Sequence, residues 1–256
     1  MASQRIRLNP EMVFASLGDA YSREQVDVAL QLLAAGDGQF PAGVRKLPVG
    51  LVRAVQRERV LAAMLRAVAE LGYRNTSVQD VIELAGVSRP TFYEHFANKD
   101  DCFVAAFDTG AQRLRARLDA AARGGGDDAD GTWRNRLRRA LAALLAFARE
   151  ERDAAQTLVV EARAGSEDAL ARRERLMDDM ARCLEAQART GSPLPERPSA
   201  TAAAVVGGIE SILYARLCRG DFEGLEDLLP SLMYFAVLPY EGHAAANEEL
   251  RRRARG

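Results

Sequence analysis

An all-α fold is predicted for this chain by three observations. Apolar residues recur at three- and four-residue spacing over most of its length, no stretch of useful length alternates with period two, and the periodic segments are bounded by capping residues, glycine or proline. At 256 residues and 48% hydrophobic content the chain can bury a full core. It has no apolar run of bilayer length, and its N-terminus lacks the basic-then-apolar order of a signal peptide, so the expectation is a cytoplasmic protein with no membrane association. Cys102, Cys183 and Cys218 form no close pair and have no histidine neighbour, which favours bystander thiols over a disulfide framework or zinc site.

The elements come in this order. Asn9-Pro10-Glu11 places a cap before a proline at the first helical position, and Ser22-Arg23-Glu24-Gln25 has capping-box spacing with Val26, Ala29, Leu30 and Leu33 on one face. Gly36 to Gly50, with Pro41 and Pro48, reads as a linker. From Leu51 the positions Val55, Val60, Leu61, Met64, Leu65, Val68 and Leu71 keep helical spacing until Gly72. Thr76 with Gln79 is expected as a second capping box, over an inner face of Val78, Val81, Ile82 and Ala85 that stops at Gly86. Helices are then predicted over about Asn98–Arg123, Trp133–Arg152, Ala154–Ala164, Glu167–Thr190, Ser199–Arg219 and Leu225–Leu238, the last kinked or restarted at Pro230. The loops Gly124–Gly131 and Gly191–Pro198 separate them.

Residues 76 to 103 carry the chemistry. Two short helices joined by a tight glycine turn make a helix-turn-helix, and the second helix has one apolar and one polar side, as a helix entering a major groove requires. At about 100° per residue Phe92 and Phe96 share the core face, while Pro90, Tyr93 and Glu94 lie roughly opposite and Arg89 and Thr91 occupy the exposed first turn. Ser88 is the natural N-cap, and Pro90 costs little where amides have no intrahelical partner. Arg89 can pair bidentately with guanine, Thr91 and Tyr93 can reach phosphate or a thymine methyl, and Glu94 can accept from cytosine N4. Lys99, at the next helix start, adds positive charge where free amides already favour an anion, which suggests a phosphate clamp. The net charge of the chain is -1, yet Val44–Lys99 holds nine basic and five acidic residues, a local +4 that suits DNA.

Thr76, Val81, Ala85-Gly86-Val87-Ser88, Thr91-Phe92-Tyr93, His95-Phe96 and Asn98-Lys99 closely resemble, in order and spacing, the signature of the TetR family of bacterial transcriptional regulators. The resemblance spans about fifty residues and implies an N-terminal three-helix helix-turn-helix domain followed by a helical-bundle regulatory and dimerisation domain with a ligand pocket. It further implies that Thr76, Tyr93, His95 and Lys99 touch the DNA backbone and that Arg89, Pro90, Thr91 and Tyr93 approach bases. The expected layout is a helical extension and linker at 1–48, the DNA-binding domain at 49–98, a ligand-binding and dimerisation domain at 99–242 and a charged tail at 243–256. The extension has no counterpart in the family's common pattern.

The expected partners are a palindromic double-stranded operator, a second copy of the chain and an unidentified small-molecule effector. Small residues at Ala202–Gly208 permit close helix crossing, so Val205, Gly207, Gly208, Ile212, Leu228, Leu232 and Phe235 are candidate dimer contacts. Leu144, Phe147, Leu158, Met177 and Met180 are candidate pocket residues, although the same spacing also describes an ordinary core. In the extension, Val26, Leu30 and Leu33 are expected to dock while Arg45 and Lys46 lie near DNA as a basic arm. No Ser-His-Asp set, metal cluster or phosphate-binding glycine loop occurs, so neither an enzyme nor a cofactor is expected. Cys102 with His95 is the one nucleophile–base pairing, and both fall inside the DNA motif. The competing expectation is a small-molecule-binding protein that has lost DNA recognition.

Overall fold

The computed structural model describes Ile6, Leu8, Val13, Leu17 and residues 20–35, 47–124, 132–189 and 198–252, with side chains described only to residue 31 in the first of these runs. All regular structure among these residues is helical. The chain divides into two compact units, residues 1–106 and 107–256.

In the first unit, α1 (Arg23–Ala35) opens with the expected capping box: the Ser22 amide donates to Gln25 Oε1 at 2.9 Å and the Gln25 amide donates to Ser22 Oγ at 3.2 Å. Its Val26 and Ala29 pack with Val13 against Leu51 and Val55 of α2 (Val49–Leu71), and Leu8, Leu17, Tyr21, Leu30 and Leu47 line this cluster. The extension is therefore part of the first unit's core. Leu33's side chain, Arg45, Lys46 and the Asn9-Pro10-Glu11 cap lie outside the described residues, as does most of both expected loops.

Gly72, at φ 79°, ends α2 as expected. The next cap is displaced by one residue from expectation. Ser77, not Thr76, caps α3 (Val78–Ala85), and Asp80, not Gln79, completes the box, with Ser77 Oγ accepting from the Asp80 amide and the Ser77 amide donating to Asp80 Oδ2. Thr76 is instead turned back to donate its hydroxyl to the Gly72 carbonyl at 2.9 Å. Gly86 (φ 63°, ψ 40°) supplies the left-handed turn into α4 (Arg89–His95), after which α5 (Lys99–Arg123) begins.

The second unit holds α6 (Trp133–Glu150), α7 (Arg152–Val159), α8 (Glu167–Arg189), α9 (Thr201–Leu217) and α10 (Leu229–Arg251), with 3₁₀ turns at Glu161–Ala164 and Leu225–Leu228. The boundary between units falls inside α5, several residues past the expected one at 98/99. Pro230 sits in the first turn of α10, where a missing amide costs nothing, so the helix restarts there. The backbone breaks again at Gly242 (φ 77°, ψ -177°), three residues after Pro239.

The helix beyond Gly242 corrects the expectation of a charged tail. Residues up to Arg251 are helical, and Glu249 is 0% exposed. Its carboxylate accepts from Arg138 of α6, with Arg134 at 3.6 Å and Arg252 at 3.4 Å. Arg134 also reaches Glu241 and Glu248, and Trp133 Nε1 donates to Glu241, so α6 holds the end of α10 through a shared set of charges. Removing one partner leaves others buried and uncompensated. Glu249→Ala is therefore expected to cost about 2–4 kcal/mol in urea-induced unfolding, somewhat below the range for a fully buried pair because Arg134 and Arg252 are partly wet; a change within about 0.5 kcal/mol, normal for a solvated tail, would contradict this packing.

Candidate nucleic-acid interface and effector cavity

The polar helix α4 is seven residues long, too short to persist in water unaided, and is held from below. Phe92 and Phe96 are buried with ring centroids 5.8 Å apart, and the Arg57 guanidinium lies 5.4 Å over the Phe96 ring. At the N-terminus Ser88 Oγ accepts from the Thr91 amide at 3.2 Å and lies 2.8 Å from the Thr91 hydroxyl. At the C-terminus Arg53 of α2 donates to the Glu94 carbonyl at 3.1 Å, satisfying an end group that no later turn of helix can reach.

What remains outward is Arg89, Pro90, Tyr93 (48% exposed) and Glu94, with Ser88 beside them and Thr91 half-buried. These expected base- and backbone-facing residues form one exposed surface. Gln79 of α3 accepts from Arg89 at 3.2 Å and donates to Glu83, so the guanidinium is loosely pre-aimed across the turn.

Three of the expected DNA contacts lie elsewhere. Thr76 is 2% exposed and its hydroxyl is occupied by Gly72, which leaves it to fix the α2–α3 connection. His95 is half-buried with its Nε2 enclosed and unpartnered, and burial together with Arg53 holds its pKa below the usual imidazole value. Lys99 points its ammonium inward, donating to the carbonyls of Tyr73 at 2.9 Å and Thr76 at 3.0 Å, 4.3 Å above the Tyr73 ring. Only one of its three donors is then left for a phosphate. Tyr73 completes the tie by donating to Asp100 at 2.8 Å, and its phenol is pushed up to about 12 by burial and by that carboxylate. Sequence periodicity did not reveal Arg53, Arg57 or Tyr73, because each acts on a partner at least 27 positions away or on a ring that local spacing cannot locate.

Cys102 is fully buried and its thiol is pushed strongly up, away from the reactive thiolate, by desolvation and Asp101.

The second unit encloses a cavity of about 160 Å³ between α5, α6, α7, α8 and α9. Leu144, Leu158, Met177 and Met180 line it; Phe147 does not, and is fully buried elsewhere in the core. Sequence reasoning missed its polar wall, Asp119, Arg173, Gln187 and Glu210. The available signal was phase: Arg173 falls on the face of Leu176, Met177 and Met180, and Glu210 on that of Val206, Ile209 and Leu213.

Residues 60–106, spanning the helix-turn-helix and its supports, match the sequence profile of bacterial regulatory proteins of the tetR family. These residues form a tetR-family DNA-binding domain. The HTH-type transcriptional activator FasR of Mycolicibacterium smegmatis is 29% identical over 107 residues, 42% of this chain and 47% of FasR. The HTH-type transcriptional repressor ComR of Escherichia coli is 31% identical over 71 residues, 28% of this chain and 34% of ComR. The chain thus spans at most about half the length of these curated relatives. Beyond the shared domain the likeness is one of fold: the FadR regulator of Bacillus subtilis, solved in complex with stearoyl-CoA, superposes with a TM-score of 0.60 over 70% of this chain and 97% of its own, at 16% identity. A tetR-family DNA-binding unit and a separate helical unit with a cavity are the parts from which a function must be assembled. No helix among the described residues is long and apolar enough to cross a membrane.

Since Lys99 ties the α2–α3 connection to α5, its loss is expected to register first as stability. Lys99→Ala should lower unfolding stability by about 1.5–3 kcal/mol, the scale of hydrogen bonds to a charged group, discounted toward the lower figure for partial exposure. Thermal unfolding without DNA checks it; an unchanged midpoint would return Lys99 to the role of a free phosphate clamp.

Proposed function

We propose that this protein is a homodimeric, ligand-responsive transcriptional regulator that acts as a repressor on a palindromic operator. The observation that carries DNA binding is the exposed surface of Arg89, Pro90, Tyr93 and Glu94 on a helix whose apolar face and both ends are already satisfied. Such a surface is free to spend every side chain on the groove. Arg89 reads guanine, Tyr93 and Thr91 reach phosphate or a thymine methyl, and Glu94 accepts from cytosine N4.

Dimerisation fits the outer faces of α9 and α10. Ile212 (37%) and Phe235 (39%) are exposed large apolar residues there, beside the half-exposed Gly207 and Leu228. Val205 and Leu232 are buried within the chain's own core and are withdrawn as contacts. Gly208 has a different purpose from that expected, since a Cβ there would come within 2.6 Å of the Phe235 ring of the same chain, whereas at Gly207 it would meet nothing within 4 Å. A twofold axis through such faces matches the symmetry of a palindromic operator.

The cavity is the natural effector site because it is concave, largely apolar and marked by a few polar groups. An apolar effector bound there shifts the population between operator-binding and released states. The stearoyl-CoA held by the FadR neighbour supports an acyl effector.

Two experiments test this reading. In binding-site selection, Arg89→Ala should cost about 1–3 kcal/mol per half-site and relax preference at one base pair only, and retention of the wild-type preference everywhere would move base reading to Thr91, Tyr93 or Glu94. In sedimentation, Ile212→Asp with Phe235→Asp should give monomers that bind operator weakly at about 0.15 M salt, while an unchanged dimer would remove α9 and α10 from the interface.

A further inference from the structure

The cavity is polarised, and its polarity specifies a ligand. At one end Glu210 accepts from Arg173 at 2.8 Å and from Arg163 at 2.6 Å, and Arg163 also stacks 4.1 Å over Tyr214. One carboxylate is thus shared between two guanidiniums at this end. Moreover, the Arg173 Nε–H is buried and has no acceptor among the described residues, although Arg173 lines the cavity.

The far end carries the opposite sign. Arg172 pairs with Asp108 and Arg115 with Asp179, so α5 and α8 run side by side in the same direction at a constant offset. That register sets Asp119 near the level of Cys183, ten positions or about 15 Å along α8 from Arg173. The lining positions of α8, from Arg173 through Leu176, Met177, Met180 and Leu184 to Gln187, form one continuous face about 21 Å long. Leucine, alanine and valine from α5, α6 and α7 close the space between the two ends.

We propose that the cavity takes a single-chain amphiphile as its free acid, with the carboxylate on Arg173 and the chain running along α8 toward Gln187. The small volume and large length suit one unbranched chain and exclude a fused ring system. A cavity of about 150 Å³ takes a guest of benzene's size, so about six carbons next to the carboxylate lie inside and a longer chain continues along the α8 face toward the open end at the exposed Cys183. Asp119 repels the acid from the opposite end, so charge fixes its direction, and a carboxylate at Arg173 supplies the acceptor that the enclosed Nε–H lacks.

The inference rests on the reading of this cavity as the effector site. Isothermal titration of the full chain without DNA tests it, using dodecanoate, methyl dodecanoate and dodecanoyl-coenzyme A. Dodecanoate should bind the wild type more tightly than its ester, and Arg173→Gln should weaken the acid by about tenfold to a hundredfold while leaving the ester unchanged, which also reports that the variant is folded. Met177→Trp, filling the middle of the face, should abolish binding of the acid and the ester. Equal binding of acid and ester, undiminished binding of the acid by Arg173→Gln, no binding of dodecanoate, or tighter binding of the thioester independent of Arg173 would each overturn the proposal. Because this titration contains no operator, its failure counts against the ligand class alone; a wild type that binds dodecanoate yet shows no change in a gel shift on its selected operator counts against the regulatory reading.

Discussion

A seven-residue helix cannot hold itself together in water, and everything in the first unit follows from holding α4 in place while leaving its outer face empty. The turn before it needs a left-handed residue, which Gly86 provides without strain. The face beneath it needs large apolar groups that do not shift, which Phe92 and Phe96 provide against α2. The last carbonyls need a donor, and Arg53 supplies one from a distance of 41 positions in sequence. With those needs met by other parts of the chain, the side chains at 89, 90, 93 and 94 stay outward, Arg89 steadied by Gln79 and Tyr93 by its edge contact with Phe92. An exposed surface freed in this way is what a sequence-reading helix requires.

This division of labour explains which parts were legible in the sequence. Caps and turns are local: Ser22 with Gln25, Gly72, Gly86 and Ser88 all appear where short-range spacing puts them. The one displaced cap shows the limit of such reading. Thr76–Gln79 and Ser77–Asp80 satisfy the same template one residue apart, and the choice is made by the Gly72 carbonyl, which captures the Thr76 hydroxyl. Likewise the polar character of residues 243–252 was plain, but that Glu249 is buried depends on Arg138, 111 positions earlier. Long-range charge pairing leaves no periodic trace.

The cavity makes the same point with apolar residues. Leu144 and Phe147 are equally regular on α6, yet only Leu144 faces open space. Helical phase assigns a residue to the interior; it does not say whether the interior is filled at that point, because filling depends on the size of the residues opposite. Gly208 is the converse case. The glycine reads as an opening for another helix, and the structure fills it with Phe235 of the same chain.

The two cation chemistries of the chain are distributed by geometry. Charge pairing between helices of the second unit relies on arginine, whose planar fork bridges several carboxylates, as Arg117 does between Glu150 and Glu151 and Arg134 among Glu241, Glu248 and Glu249. At the joint of α2, α3 and α5 the acceptors are two carbonyls and a ring face that do not share a plane, and there the chain uses Lys99. A compact ammonium with three diverging donors fits that arrangement, whereas a guanidinium placed there would direct at least one N–H away from any acceptor. The lysine that by position alone looked like a phosphate ligand is thus first a fastener, with two of its three donors held by carbonyls. Arg89 and its neighbours on α4, by contrast, keep their polar groups on the exposed surface.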